Sequence, residues 1–124
     1  MNRRQVLCIA VAVGCSEAED RTSGVDGDKV IIELSADELN TLCAYIEEIS
    51  GPARSVECNG TSVTTGVTKE RCISNSPTAA EHPTCRLSVA EYERCYEYLA
   101  QYTDDVCHIP PSDACNAFST PACN

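Results

Sequence analysis

Large aromatic side chains are almost missing from this chain. It has no Trp and one Phe, Phe118, among 124 residues, and five tyrosines supply the remaining aromatic rings. A small core with so few bulky side chains leaves little net stability once conformational entropy has been counted. The composition therefore excludes a domain that is held together by hydrophobic burial alone.

Basic residues are also scarce. Nine Lys and Arg stand against 19 Asp and Glu, which gives a formal net charge of −10 at pH 7. A surface of this sign repels nucleic acid and anionic lipid rather than binding them. Solubility and spacing from a membrane surface account for the charge. A basic partner is the alternative, although no motif specifies one.

Motifs that carry chemistry are missing as well. There is no Gly-x-Ser-x-Gly, no His-Glu-x-x-His and no glycine loop that could cradle a phosphate. From Cys43 onward no two cysteines are close enough for a Cys-x-x-Cys redox motif or a zinc site. His82 and His108 have no spaced nucleophile or carboxylate partner. We therefore expect a protein that is not an enzyme and that binds no metal or cofactor.

The first residues have the pattern of a lipoprotein export signal. Met1 to Arg4 is positively charged, Val6 to Val13 is apolar, and the small residue Gly14 precedes Cys15. The apolar run is far shorter than the roughly 20 residues that span a bilayer. We expect residues 1–14 to be a signal peptide and Cys15 to carry lipid. This places the protein in the bacterial cell envelope, anchored in the outer membrane.

A second cleavage position stays open. Ser16-Glu17-Ala18 has the small-x-small pattern of an ordinary secretory site. Cleavage after Ala18 would release a secreted protein without lipid.

Eight cysteines remain under either cleavage, and an even number in an exported chain predicts four disulfides. They are Cys43, Cys58, Cys72, Cys85, Cys95, Cys107, Cys115 and Cys123. Their pairing does not follow from spacing alone. We expect Cys43 to pair with Cys72 and Cys95 with Cys115, because each pair would join a long helix to a shorter neighbour.

The polar, glycine-interrupted sequence behind Cys15 predicts a flexible acidic tether over residues 15–29. A cysteine-rich helical domain is expected over residues 30–124. At its start, Val30-Ile31-Ile32 is either a short strand or an apolar lead-in to the first helix.

Two capping boxes predict the two longer helices. Ser35 with Glu38 starts a helix over 36–50, and Ser88 with Glu91 starts a second over 88–102. Apolar residues then recur at helical spacing. These are Leu39, Leu42, Cys43, Ile46 and Ile49 in the first helix, and Tyr92, Cys95, Tyr96 and Leu99 in the second. The acidic pairs Glu47-Glu48 and Glu93 with Glu97 are expected on the solvent faces.

Shorter elements fill the rest of the chain. Asn59-Gly60 predicts a turn in a minor β-hairpin, and Thr68 is placed to cap a short helix that carries Cys72. Residues 113–119 predict a last short helix, with Ser112 as its cap and Phe118 facing inward. The expected fold class is mostly α: a small, disulfide-stapled helical domain.

The tyrosines are the strongest candidates for a binding surface. Tyr92 and Tyr96 lie on the inner stripe, so we expect them to fill the core. Tyr98 and Tyr102 lie four residues apart on another helix face. They either complete the core or form a partner-binding pair.

One block carries a family resemblance. The segment Pro83-Thr84-Cys85-Arg86-Leu87-Ser88-Val89-Ala90-Glu91-Tyr92-Glu93-Arg94-Cys95, together with the lipobox and the acidic tether, resembles cysteine-rich lipoproteins common in myxobacteria. The resemblance implies an anchored scaffold and no assigned activity. The expected function is a structural or protein-interaction module of the envelope that contacts the membrane through its lipid. The alternative is a secreted ligand carrier or inhibitor.

Overall fold

Two capped α-helices organise the fold, which a computed structural model describes over residues 22–124. Helix α1 spans Ala36–Ser50. A hairpin follows, with β1 at Arg54–Cys58 and β2 at Thr61–Thr65. Helix α2 spans Lys69–Asn75 and α3 spans Val89–Ala100. Cys15, the signal peptide and the alternative cleavage site lie outside the described residues.

The predicted caps are present. The side chain of Ser35 accepts a hydrogen bond from the N–H of Glu38, and Ser88 accepts one from Glu91. Each glutamate in turn accepts the N–H of its serine. Thr68 likewise accepts the N–H of Arg71 at the start of α2. The sequence therefore predicted all three helix starts from their first turns.

The core lies between α1 and the two later helices. Its largest fully buried side chains outside the cysteines are Leu42 and Ile46 on α1, with Val89 and Tyr92 on α3. Phe118 packs against this cluster, as the sequence predicted. Its ring centroid lies 5.1 Å from that of Tyr92.

Within residues 22–124, four disulfides connect the elements, as expected from the eight cysteines there. The two predicted pairs, Cys43–Cys72 and Cys95–Cys115, are confirmed. The remaining pairs are Cys58–Cys107 and Cys85–Cys123. The mostly helical, disulfide-stapled fold class is therefore confirmed, including its minor hairpin.

The end of the chain is less helical than predicted. A 3₁₀ turn spans Asn116–Ser119, and a second one spans Pro121–Cys123. Ser112 does not cap a helix, because its hydroxyl accepts the N–H of Ala114 within a local turn. Pro121 holds Thr120 extended, at a ψ of 143°, and so ends the preceding turn.

The segment before α1 lies along the start of α3. Val30 forms an isolated bridge with Ser88, and Ile31–Glu33 is a 3₁₀ turn rather than a strand. Upstream, the carbonyls of Gly27 and Lys29 accept the N–H groups of Ala90 and Val89. Residues assigned to the tether from the sequence thus contact the domain. No helix within residues 22–124 combines the length and apolarity needed to cross a membrane.

Candidate functional site

A groove with mostly apolar walls opens between the hairpin and the C-terminal half of α3. Its volume is about 280 Å³. The apolar walls come from β2 and the residues after it, from α3, and from the turn behind α3. The main contributors are Val63, Val67, Leu99, Ala100, Val106 and Ile109. Hydroxyls of Thr64, Thr65 and Thr103 interrupt these walls. No charged side chain from the described part of the chain lines the groove.

Covalent and polar contacts hold the two walls together. The Cys58–Cys107 disulfide ties the end of β1 to the 3₁₀ turn Val106–His108. Arg54 at the start of β1 donates a 2.7 Å hydrogen bond to the carbonyl of Thr103. The hairpin is therefore fixed to the segment behind α3 at both of its ends.

A glycine shapes the rim beside β2. Gly66 has a φ of +85°, and a Cβ at this position would collide with the carbonyl of Pro52. Only glycine fits both this conformation and this close approach. The chain can therefore turn directly from β2 along the groove toward Val67.

Tyr96 forms the inner end of the groove and connects it to the core. Its ring centroid lies 5.2 Å from that of Tyr92 and 5.9 Å from that of Phe118. Burial raises the pKa of Tyr92 and Tyr96. Both phenols are therefore neutral at physiological pH. Tyr92 fills the core as predicted, whereas Tyr96 also reaches the groove.

Tyr98 and Tyr102 lie outside the groove. Their ring centroids are 5.3 Å apart, and the Tyr98 hydroxyl donates to the carbonyl of Pro110. The structure therefore places the two together as a half-buried pair, with Tyr98 on α3 and Tyr102 in the turn behind it, because the helix ends at Ala100 and not at residue 102 as predicted. The groove residues themselves were missed from the sequence, because Thr64, Leu99 and Ile109 meet only in the folded chain.

Two carboxylates stand at the rim, on the turn between Thr103 and Val106. The side chain of Asp104 is 99% exposed, and its nearest cation is Arg54, whose Nη2 lies 3.6 Å from its Oδ1. The expectation that His108 has no carboxylate partner is wrong, because Asp105 pairs with it, with 2.8 Å between Oδ1 and Nδ1. Both groups are solvated, so they give the rim a negative potential.

The acidic pairs on the helices are not equivalent. The prediction that Glu93 faces solvent is wrong, because its side chain lies beneath residues 22–29 and the residue is 6% exposed. Its Oε2 accepts the N–H of Ser23 at 3.1 Å and the Ser23 hydroxyl. Glu97 accepts a 2.7 Å hydrogen bond from Tyr45.

Within residues 22–124, no group of three or more His, Cys, Asp or Glu side chains is arranged to hold a metal ion.

Comparison with known proteins finds no family model, no curated protein and no solved structure that matches this chain.

Proposed function

We propose that this protein is a non-enzymatic, lipid-anchored module of the bacterial cell envelope that binds another protein through the groove. The groove carries the proposal. It offers apolar walls, several hydroxyls and an acidic rim, which suit recognition of a polypeptide. The resemblance to cysteine-rich lipoproteins and the lipobox at Cys15 support the anchor. Four disulfides are typical of an oxidising compartment.

The residues that line the groove favour binding over chemistry. The polar residues that line it are Ser50 and three threonines, while the Tyr96 hydroxyl is directed toward Tyr92. Nucleophilic or acid–base catalysis needs an activating partner within hydrogen-bond reach. The rim carboxylates are solvated, and the buried Glu93 does not line the groove.

A secreted ligand carrier is the second candidate. The apolar walls favour it, since small-molecule sites are mostly apolar. The volume of about 280 Å³ is near the lower end of such sites, which favours a side chain of a partner over a whole ligand.

The mature N-terminus separates the two candidates. We expect the protein recovered from the envelope to begin at an acylated Cys15, as measured by intact mass and by mass spectrometry of the N-terminal peptide. A protein that begins at Glu19 and is found in the medium would contradict the anchor and support secretion.

Site-specific cross-linking tests the groove. A photoreactive amino acid at Ile109 should cross-link to a defined protein in intact envelopes, and Leu99→Arg should abolish that product by charging an apolar wall. The same photoreactive group at Ala79, an exposed loop residue away from the groove, is the control. Equal products from Ala79 and Ile109, insensitive to Leu99→Arg, would refute binding at the groove.

A further inference from the structure

We infer that the groove binds an extended, basic peptide segment, which adds to the hairpin as a third strand along β2. An apolar side chain of the segment would enter the groove. This inference rests on the proposed function and names the chemistry of the partner.

The hairpin register determines which main-chain groups are free. Asn59 and Gly60 form its two-residue turn, with φ angles of 53° and 85°. In such a turn the flanking pair, Cys58 and Thr61, exchanges both hydrogen bonds, and the bonding pairs then alternate along the ladder. Val56 therefore bonds to Val63.

Ser62 and Thr64 consequently direct their N–H and C=O groups away from β1. Within residues 22–124, no main-chain hydrogen bond outside the hairpin reaches either of them. Thr64 is exposed and lines the groove. The outer edge of β2 is thus open at the place where the apolar walls begin.

The opposite edge of the hairpin is occupied at one position near the turn. The Sγ of Cys107 lies 3.6 Å from the carbonyl oxygen of Glu57, which the same register directs away from β2. The disulfide from Cys107 to Cys58 holds it there. On the outer edge of β1 a partner strand would therefore meet Cys107 beside Glu57, whereas within residues 22–124 no such contact occupies the outer edge of β2.

Strand addition places side chains where the groove can accept them. Alternate side chains of an extended segment point to one face of the enlarged sheet. Thr64 lines the same groove as Leu99, Val106 and Ile109, so an apolar side chain on the groove side of the added strand would lie against that wall. The main chain of the partner would supply affinity, and a single apolar residue would set the register.

The charge of the rim selects a basic partner. Asp104 and Asp105 stand on the turn between Thr103 and Val106, both of which line the groove. Arg54 forms an ion pair with Asp104, with 3.6 Å between Nη2 and Oδ1, so the two rim carboxylates outnumber the one guanidinium beside them. With a net charge of −10, the chain repels acidic segments and attracts Lys or Arg.

A synthetic peptide tests the main-chain contacts. The probe is acetyl-Lys-Thr-Ser-Leu-Ser-Thr-Lys-amide, titrated into the full chain with its disulfides intact and followed by NMR chemical shifts. Two further peptides carry backbone N-methyl groups, one on residues 2, 4 and 6 and the other on residues 3 and 5. Only one set of N–H groups can face β2. We therefore expect one N-methylated peptide to bind about tenfold more weakly or worse, and the other to bind like the parent.

A matched pair of protein variants tests the same edge. Thr64→Pro removes an outward N–H from β2, and Ser55→Pro removes one from β1; neither substitution removes a β1–β2 hydrogen bond. We expect Thr64→Pro to lower the affinity for the peptide about tenfold and Ser55→Pro to leave that affinity unchanged. If Thr64→Pro fails to fold, the two N-methylated peptides decide the question.

The charge contribution has its own comparison. Replacing both Asp104 and Asp105 by Asn should weaken binding of the Lys-flanked peptide and leave binding of a Ser-flanked version unaffected.

Equal binding of both N-methylated peptides, or no saturable binding of the parent at about 1 mM, would overturn strand addition. The proposed function would still stand if Ile109 continued to give a cross-link that Leu99→Arg abolishes. Loss of that product as well would overturn both.

Discussion

Among single residues, Glu93 departs furthest from its sequence expectation. It is a carboxylate on α3 with 6% exposure, and within residues 22–124 its side chain accepts two hydrogen bonds from Ser23, seventy positions earlier in the chain. Burial raises the pKa of Glu93 above the ordinary value of 4.5, the Ser23 hydrogen bonds oppose this, and the negative charge of Glu97 adds to it. The pKa of Glu93 is therefore higher in the folded protein than its ordinary value, so folding favours the protonated carboxyl group.

The sign of this shift gives a pH prediction. A carboxyl group whose pKa is raised by folding contributes most stability when it is protonated, and that contribution is lost as pH rises through the folded-state pKa. As pH rises above about 4.5, we therefore expect the Glu93 contribution to the free energy of unfolding to decrease. Glu93→Gln should abolish this fall, because its amide stays neutral while its oxygen can still accept from Ser23.

Denaturant unfolding at a series of pH values, with the disulfides intact, measures this difference. Glu70→Gln, which removes an exposed carboxylate on α2, is the charge-matched control and should retain the fall. Identical pH profiles for Glu93→Gln and the unmodified protein would show that Glu93 does not control this stability.

The misplacement of Glu93 shows what helical periodicity omits. Glu93 directly follows Tyr92 but does not belong to the inner stripe of apolar residues on α3. Helical periodicity therefore predicts that its charged side chain faces solvent. It is buried because residues 22–29 lie across α3, and this polar segment carries no local feature that indicates docking. A carboxylate becomes buried here through a contact between distant parts of the chain.

At the scale of whole elements, local chemistry was sufficient for most predictions. Ser35 with Glu38 and Ser88 with Glu91 specified the starts of α1 and α3, and Asn59-Gly60 specified the hairpin turn. Each of these features acts within about four residues. The groove was not predictable in this way, because its walls come from three elements whose contacts depend on the Cys58–Cys107 pairing.

Exposure of the sulfurs predicts which elements separate first under mild reduction. Cys107 is exposed and Cys58 is half-buried, whereas Cys43, Cys72 and Cys85 are at most 1% exposed and Cys95 is 4% exposed. A reductant must reach a sulfur to attack it. We therefore expect Cys58 and Cys107 to be alkylated first during graded reduction, as measured by peptide mass spectrometry.

Loss of this bond should separate the hairpin from the turn behind α3 and weaken binding in the groove. The double replacement of Cys58 and Cys107 by Ser should reproduce that loss and lower the free energy of unfolding by about 2–4 kcal/mol. The matched control replaces Cys95 and Cys115, which do not join the groove walls, and should preserve cross-linking from Ile109. Early alkylation of Cys43 or Cys72 would contradict the predicted order.

Across the whole molecule, the four disulfides form one connected set. The loop closed by Cys58–Cys107 overlaps each of the loops closed by Cys43–Cys72, Cys85–Cys123 and Cys95–Cys115. Each of the helices α1, α2 and α3, and the hairpin, is therefore joined covalently to another part of the domain. The scarcity of large aromatic residues is consistent with this design, because among the described residues only four large side chains other than the cysteines are fully buried.

This architecture predicts that the reduced chain does not fold. The sequence separations of the bonded cysteines run from 20 to 49. Closing each such loop restricts the unfolded chain by about 3–4 kcal/mol in the chain-entropy description, against a usual total stability of about 5–15 kcal/mol. Full reduction and alkylation should abolish the cooperative thermal transition in circular dichroism, whereas the variant lacking only Cys95 and Cys115 should retain it at a lower temperature. A reduced chain that still melted cooperatively would show that its small apolar core is sufficient for folding and would contradict this prediction.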